Sequence, residues 1–276
     1  MQRAETMRKK IQIIVLLLAI ICGITGISKL LQERQAGKEY DDLRSLARQT
    51  ELVSEETTER MTEALLTEAV MTEALTEETE PPVEIPIDFA ALQQENPDIY
   101  AWIQVEGTDV DYPIVQHAED NAFYLNHSVS GEEAIEGAIY TEDYNTLDFE
   151  DPNTVIYGHN MKNGTMFRTL HNFEDRDFFD EHRDITIYLP DEIRHYRIFA
   201  AYLYDSRHIL QTYDFSDERI FERYLDEILS IRDMSSFIDS SAELDKDSRI
   251  ITLSTCYKGM KDKRYLVQAV LVSIEK

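Results

Sequence analysis

The sequence predicts a mainly β fold, a closed or nearly closed β-barrel with helical insertions, in the C-terminal two thirds of the chain. Short runs rich in β-branched and aromatic residues follow one another there, separated by turn residues such as Gly, Pro, Asn and Asp. Helical periodicity interrupts these runs at only a few places. About 190 residues follow the last proline cluster, and that length can bury a sizeable core without disulfides.

The predicted strands are the apolar or alternating runs that lie between turn signals. In chain order they are Tyr100–Val105, Ala138–Thr141, Thr154–Tyr157, Ile185–Leu189, His195–Tyr204, Arg249–Thr255 and Tyr265–Ile274.

Helices are predicted at three places in this domain. Asp88 can cap a short helix over residues 89–94. A second short helix is expected near residues 166–172. The longest covers 217–232, with Ser216 as a candidate N-cap, and its apolar face carries Phe221, Tyr224, Leu225 and Ile228.

The N-terminus has the pattern of a membrane anchor. Residues 1–10 are basic, and residues 11–28 carry no charged side chain. An apolar helix over 11–31 is long enough to span the ~30 Å hydrocarbon core, and the preceding basic residues keep the N-terminus cytoplasmic. The alternative is a cleaved signal peptide, which would need a shorter apolar run and a small-residue cleavage site. The rest of the chain is then expected outside the cell.

Residues 32–86 differ in composition from the rest. They are rich in Glu and Thr, and Met-Thr-Glu-Ala-Leu occurs at 61–65 and again at 71–75. The pattern predicts an acidic, solvated stalk, with a coiled-coil partner site as the alternative. Pro81, Pro82 and Pro86 mark its end, so one domain is expected over 87–276. The formal net charge of −27 argues against nucleic-acid binding.

A single cysteine outside the apolar N-terminal run suggests nucleophilic chemistry. Cys256 ends a predicted strand, and the other cysteine, Cys22, lies in the predicted anchor. At an unperturbed pKa of ~8.5, only about 3% of a thiol is ionised at pH 7, so a base and a cation are needed beside it. His159 follows a strand and a glycine, which makes it the best of several candidate histidines. Arg264 starts the next strand, although it can equally belong to a solvated basic loop.

These residues lie in segments that together resemble the signature of the sortase family, membrane-anchored cysteine transpeptidases of Gram-positive bacteria. The segments are Tyr157-Gly158-His159-Asn160-Met161, Thr252-Leu253-Ser254-Thr255-Cys256, and Arg264 at the following strand start. The class B branch fits best, with support from 96–98, 101–103, 107–108, 111–116 and the helix over 217–232. The resemblance covers about residues 88–276.

The resemblance implies an eight-stranded barrel and a two-step acyl transfer. His159 would be the base and acid, Cys256 the nucleophile and Arg264 the oxyanion or substrate clamp. It also implies substrate contacts at Ser254, Tyr224 and Leu225, although a strand residue and the apolar face of a helix explain these three as well. The substrates implied are secreted proteins with a C-terminal sorting motif cleaved after Thr. The acceptor would be a peptidoglycan cross-bridge amine or a pilin lysine.

One departure from the class B pattern concerns a third catalytic group. Some members carry an acidic residue directly after the cysteine, whereas Tyr257 and Lys258 follow here. No cofactor is expected, and no His, Cys and carboxylate spacing indicates a metal site. Two alternatives stay open: a cell-wall cysteine peptidase or hydrolase, and a non-catalytic stalked adhesin. Papain-like enzymes place Cys before His, and L,D-transpeptidases place Gly before the Cys, unlike this chain.

Overall fold

The computed structural model describes residues 35, 37–48, 83–257 and 259–276. The predicted anchor over 11–31 and most of the predicted stalk lie outside these residues. Among the residues that are described, no helix has both the length and the apolarity needed to cross a membrane. The chain divides into two compact units, 1–41 and 42–276.

Nine strands form one sheet in the described part of the chain. They are β1 (Ile99–Val105), β2 (Asp111–Val115), β3 (Ile139–Tyr140), β4 (Asn153–Tyr157), β5 (Asp184–Tyr188), β6 (Ile193–Asp205), β7 (Phe237–Ile238), β8 (Ile250–Cys256) and β9 (Lys263–Glu275). Every strand predicted from the sequence is present to within two residues at each end. The sequence patterns did not predict β2, which contains Pro113, or the two-residue β7.

Eight of these strands close into a barrel. Their order is β5-β1-β2-β3-β4-β8-β9-β6, and a further pairing of β5 with β6 closes the ring. β7 lies outside the ring, paired with Ala200 and Ala201 of β6. The predicted eight-stranded barrel with helical insertions is therefore confirmed. Closure also leaves these eight strands without an open edge, which removes a route to aggregation.

Most neighbouring strands are antiparallel, but β2–β3 and β4–β8 are parallel. Pro113 of β2 is tolerated because β3 pairs only with Ile114 and Val115, so the proline lies outside that ladder. The parallel pair β4–β8 matters most for the candidate site, because the C-terminal ends of two parallel strands lie at the same end of the sheet.

Five α-helices are present among the described residues. They are α1 (residues 37–47), α2 (Phe89–Glu95), α3 (Arg176–Glu181), α4 (Ile209–Thr212) and α5 (Glu218–Leu229). Residues predicted as a short helix near 166–172 form a 3-10 helix, Phe167–Glu174. The predicted cap of α2 is confirmed, since the Asp88 side chain accepts a hydrogen bond from the Ala91 amide.

The predicted cap of α5 is wrong by one residue. Asp217, not Ser216, is the N-cap, and its carboxylate accepts from the Arg219 amide. The Ser216 hydroxyl instead donates to Asp214 within the preceding turn. A carboxylate at the N-terminus also interacts favourably with the helix dipole, which explains the preference for Asp217.

The core fills the barrel and continues under α5. Trp102, Ile103 and Ile114 are inaccessible to solvent inside the sheet. Outside it, the apolar face of α5 packs on β6 and β9 through a cluster that includes Phe199, Phe221, Tyr224, Leu225 and Leu266.

Residues 42–48 lie within the predicted stalk but pack against the barrel. Leu43 and Ala47 are buried, and the Ala47 carbonyl accepts from the Asp88 amide at 2.8 Å. Arg48 donates to the Asp111 carboxylate at 2.8 Å. Residues 42–47, the C-terminal part of α1, therefore belong to the barrel unit, because their apolar side chains are buried against it.

Candidate active site

The pairing of β4 with β8 brings His159 and Cys256 to the same end of the barrel. In this parallel pair Tyr157 lies opposite Ser254, and the Gly158 amide continues the ladder by donating to the Ser254 carbonyl at 3.1 Å. His159 and Cys256 each stand two residues beyond this matched rung. Because both strands run in the same direction, His159 and Cys256 lie at the same end of the sheet.

Arg264 reaches the same place from the other side of β8. In the antiparallel β8–β9 pair, Arg264 is the direct partner of Cys256. Residues opposite one another in such a pair have Cα atoms about 4.5–5.5 Å apart. The Arg264 guanidinium is steadied by the carbonyls of Lys261 and Lys263, to which Nη1 donates at 3.3 and 3.1 Å.

Gly158 is required by close packing. A Cβ atom at this position would lie 2.6 Å from Ile139 Cδ1 and 2.7 Å from a ring carbon of Phe167. Its φ is not in the left-handed region, so the backbone conformation does not require a glycine here. The small residue lets β4 approach its neighbours closely, and the Phe167 amide then donates to the His159 carbonyl at 3.0 Å.

The His159 ring has a defined orientation. Its Nε2 lies 2.7 Å from the Leu125 carbonyl oxygen. Since a carbonyl only accepts, Nε2 carries a proton and donates it to this bond. In the neutral ring the other nitrogen, Nδ1, is then the atom that can exchange a proton with a thiol or an amine.

A cleft of about 220 Å³ surrounds the thiol. Cys256 is exposed, and His159, Arg264 and Ser254 all line the same cleft. The remaining walls come from Leu125, Tyr140, Tyr157, Gly158, Tyr204, Ser206, Arg207, His208, Ile209, Thr255 and Leu266. The sequence patterns did not indicate the tyrosines of this wall or the residues that follow β6, namely Ser206, Arg207 and His208. In the sequence these residues have the pattern of ordinary strands and turns.

Two of the cleft-wall residues, Tyr140 and Tyr157, carry phenols that are buried or half-buried. Burial raises the pKa of Tyr140 and Tyr157 well above the ordinary tyrosine value, with a further contribution from the nearby Glu142. Burial also raises the pKa of the Glu142 carboxyl, and His208, 2.5 Å away, opposes that rise. At neutral pH these phenols stay protonated and uncharged. The positive charge of the wall comes from the guanidinium groups of Arg264 and Arg207.

Tyr224 and Leu225 are buried away from the cleft. Both are about 2% exposed, and neither lines the cleft. They lie on the inner face of α5, where Tyr224 accepts a hydrogen bond from Gln268 of β9 at 2.8 Å. The apolar face of the helix therefore packs on the barrel, which is the other explanation that the sequence allowed, and a substrate contact at these two residues stays a prediction. Ser254, by contrast, does line the cleft.

No metal-binding cluster of three or more His, Cys, Asp or Glu occurs in the part of the chain that the structure describes. A polar side chain also contacts the main chain of Cys256. The Asn160 amide donates to the Cys256 carbonyl at 2.9 Å, and neither the spacing nor the composition of the sequence had indicated this contact.

An exposed thiol between an imidazole and a guanidinium, at the end of a closed eight-stranded barrel, defines a cysteine acyl-transfer enzyme. Comparison with known proteins agrees with this class. The sortase domain family model matches residues 103–272, and a sortase B of Listeria monocytogenes is 35% identical over 194 residues, which are 69% of this chain and 76% of that protein. The chain belongs to the sortase family, and its relatives identify it as a class B sortase, a cysteine transpeptidase.

Solved structures show the same relationship. Sortase B of Clostridium perfringens superimposes with a TM-score of 0.61 at 34% identity, covering 67% of this chain and 100% of that one. A class B sortase of Streptococcus pyogenes, described as involved in pilus biogenesis, superimposes with a TM-score of 0.57 at 31% identity. It covers 67% of this chain and 97% of that one.

Proposed function

We propose that this enzyme cleaves a C-terminal sorting motif of secreted proteins after a Thr residue and transfers the new acyl end to an amine. The observation that carries the proposal is the register of three strands, which lines one cleft with His159, Cys256 and Arg264. Such a cleft offers a nucleophile, a proton carrier and a cation to one extended peptide.

In the first step the Cys256 thiolate attacks the carbonyl carbon of the Thr residue and forms a C–S bond. The negative charge that develops on the carbonyl oxygen is stabilised by the Arg264 guanidinium. The C–N bond then breaks, and the leaving amine takes a proton from the protonated His159. The products are a thioacyl-enzyme and the released C-terminal peptide.

In the second step an amine attacks the thioester. His159 takes the proton from that amine, a new C–N bond forms, and the Cys256 thiolate leaves. The acceptor is an amine of a peptidoglycan cross-bridge or a pilin lysine. The Streptococcus pyogenes relative, named for pilus biogenesis, supports keeping the second acceptor in the test.

The test uses a peptide library with varied sorting motifs, the barrel unit of the protein, and added amines. Mass spectrometry of the products should show cleavage after Thr and a new amide to the amine. A product that is always the free acid, even at high amine concentration, would favour the alternative of a cell-wall hydrolase. Absence of cleavage for every peptide, together with no labelling of Cys256 by thiol probes, would favour the non-catalytic adhesin.

The proposed location is the cell membrane, with a single span over residues 11–31, a cytoplasmic N-terminus and the barrel facing the cell wall. Arg3, Arg8, Lys9 and Lys10 ahead of the apolar run support this orientation. Protease treatment of intact cells should remove the barrel and leave a short N-terminal fragment in the membrane. A barrel that is protected in intact cells and degraded only after lysis would contradict this topology.

A further inference from the structure

A polar cluster beside the Cys256 backbone has no part in the reaction described above. It consists of Asn160, His171 and Glu174, named here the Asn-His-Glu cluster. His171 and Glu174 line a separate pocket with Tyr257. No residue of the Asn-His-Glu cluster lines the cleft that holds the thiol. The cluster therefore approaches Cys256 through its main chain.

The hydrogen bonds of the cluster form one chain that ends at the nucleophile. Glu174 Oε1 lies 2.5 Å from His171 Nδ1. Asn160 Nδ2 lies 2.7 Å from His171 Nε2 and 2.9 Å from the Cys256 carbonyl oxygen. His171 Nε2 also lies 3.3 Å from that carbonyl, but in the neutral ring with the proton on Nδ1 it has no hydrogen to donate there.

The donors and acceptors of this chain are fixed by chemistry. A carboxylate only accepts, so His171 Nδ1 carries a proton and donates it to Glu174. In the neutral ring Nε2 is then an acceptor, and it receives one of the two Asn160 amide hydrogens. The other hydrogen goes to the Cys256 carbonyl. Glu174 thus selects the tautomer of His171, and His171 selects the orientation of the Asn160 amide.

His171 is held rigidly enough to do this. Its side chain is 9% exposed, and its ring stacks on Tyr265 with centroids 5.1 Å apart and an interplanar angle of 24°. Tyr265 is the neighbour of Arg264 and the ladder partner of Thr255. The imidazole therefore packs on β9, next to Arg264, at a residue whose ladder partner on β8 precedes Cys256.

We propose that the Asn-His-Glu cluster positions the thiol relative to the base. Asn160 directly follows His159 in the chain. Its hydrogen bond to the Cys256 carbonyl therefore connects the segment that carries the proposed base to the main chain of the proposed nucleophile. His171 and Glu174 act through Asn160 and are positioning residues. This inference rests on the proposed roles of Cys256 and His159 and adds what keeps them in register beyond the end of the β4–β8 ladder.

The experiment compares His171→Ala with His171→Gln in the otherwise unchanged enzyme. Gln places an amide oxygen near the position of His171 Nε2 and can accept from Asn160, whereas Ala cannot. We expect His171→Ala and Asn160→Ala to lower kcat about tenfold each, as expected for one lost hydrogen bond, with KM unchanged. His171→Gln should recover kcat to within about threefold of the wild type.

The matched control is another histidine–glutamate pair. His195 Nε2 lies 2.8 Å from Glu275 Oε1, near the start of β6, whereas the cleft is at the end of that strand. His195→Ala should leave kcat and KM at wild-type values. A kcat for His171→Ala equal to that of the control, or a loss that Gln does not recover, would overturn the proposal.

A second readout does not depend on the substrate. The rate of Cys256 alkylation by iodoacetamide at pH 7 should fall several-fold in His171→Ala and Asn160→Ala, and remain unchanged in His195→Ala. If the wild type transfers no peptide at all, the proposed function fails while this rate still decides the role of the cluster. Equal alkylation rates in all variants would contradict positioning.

Discussion

Two rungs of the same strand pair, β8 with β9, carry polar side chains and have opposite roles. At one rung Thr252 lies opposite Gln268, and both are inaccessible to solvent. At the other, four residues along β8, Cys256 lies opposite Arg264, and the thiol is exposed. The backbone geometry of the two rungs is the same, so the difference lies in what surrounds the side chains.

The buried rung is closed by hydrogen bonds. Gln268 Nε2 donates to Thr252 Oγ1 and to Tyr224 Oη, both at 2.8 Å, and its Oε1 accepts from Tyr202 at 3.0 Å. Thr252 Oγ1 in turn donates to Asn153 Oδ1 at 2.8 Å. These groups are committed to each other, and such a network stabilises the barrel without offering a reactive atom.

The exposed rung leaves its thiol facing a cleft. There the thiol shares a cleft with the His159 imidazole and the Arg264 guanidinium, which are the base and the cation of the proposed reaction. The comparison teaches that polar residues on these strands support the fold where they satisfy one another and support chemistry where solvent enters. Four predictions can break or sharpen it.

Removing the thiol of the exposed rung, or the His159 imidazole that shares its cleft, should have the largest effect. Cys256→Ala and His159→Ala are expected to lower transpeptidation by about 10⁴-fold or more, because the acyl intermediate or its proton carrier is lost. Thermal unfolding should be nearly unchanged, since both side chains are at the surface of the cleft. Near-wild-type turnover in either folded variant would remove the site assignment.

Arg264→Ala should have the next largest effect on activity. Loss of an oxyanion donor typically lowers kcat about 10²–10³-fold. The matched control is Arg207→Ala, because Arg207 also lines the cleft but pairs with Asp205 at 2.9 Å. Steady-state kinetics should show a change of no more than about threefold in the control. Equal losses in both variants would mean that Arg264 contributes only general positive charge.

Truncation at residue 87 should affect stability more than chemistry. A chain starting there still carries every strand and the whole cleft, so we expect it to fold and to transfer peptides. It lacks the buried Leu43 and Ala47 and the bond from Arg48 to Asp111. Its unfolding free energy in urea should be about 2–4 kcal/mol lower than that of a chain starting at residue 37.

A control separates packing from chain length in this truncation. Leu43→Asp in the longer chain should reproduce most of the loss, because it places a charge at a buried position. Equal stability of the two chains would show that residues 42–48 do not support the barrel.

Tyr224→Phe should have the smallest effect. It removes the acceptor of a Gln268 hydrogen inside the buried network, which is expected to cost about 1–3 kcal/mol of unfolding free energy. The KM for the sorting peptide should not change, because Tyr224 lies on the inner face of α5. A raised KM with unchanged stability would support Tyr224 as a substrate contact.

The sequence predicted the barrel because its strands have clear alternation and turn residues between them. It did not predict β2, whose proline argues against a paired strand until the short neighbour β3 is known. The cap of α5 was displaced by one residue because Ser216 and Asp217 are both good N-caps, and only the local turn distinguishes them.

The same limits apply to the site. His159, Cys256 and Arg264 were predicted because glycine, strand ends and a single thiol leave local signals, and because their segments resemble the sortase signature. Their meeting depends on the β4–β8 register, which is a long-range pairing. The sequence could not decide between packing and substrate contact for Tyr224 and Leu225, because one apolar helix face looks the same whether it packs on a barrel or on a peptide. Asn160 and His171 were missed because their contacts run to a main-chain carbonyl.

The most direct test of the central claim is the intact mass of the enzyme during turnover. With a sorting peptide and no added amine, the protein should gain the mass of the N-terminal peptide fragment, and fragmentation should place that mass on Cys256. Addition of an amine should discharge it as an amide. Peptide transfer that continues in Cys256→Ala, or an adduct on another residue, would contradict the account.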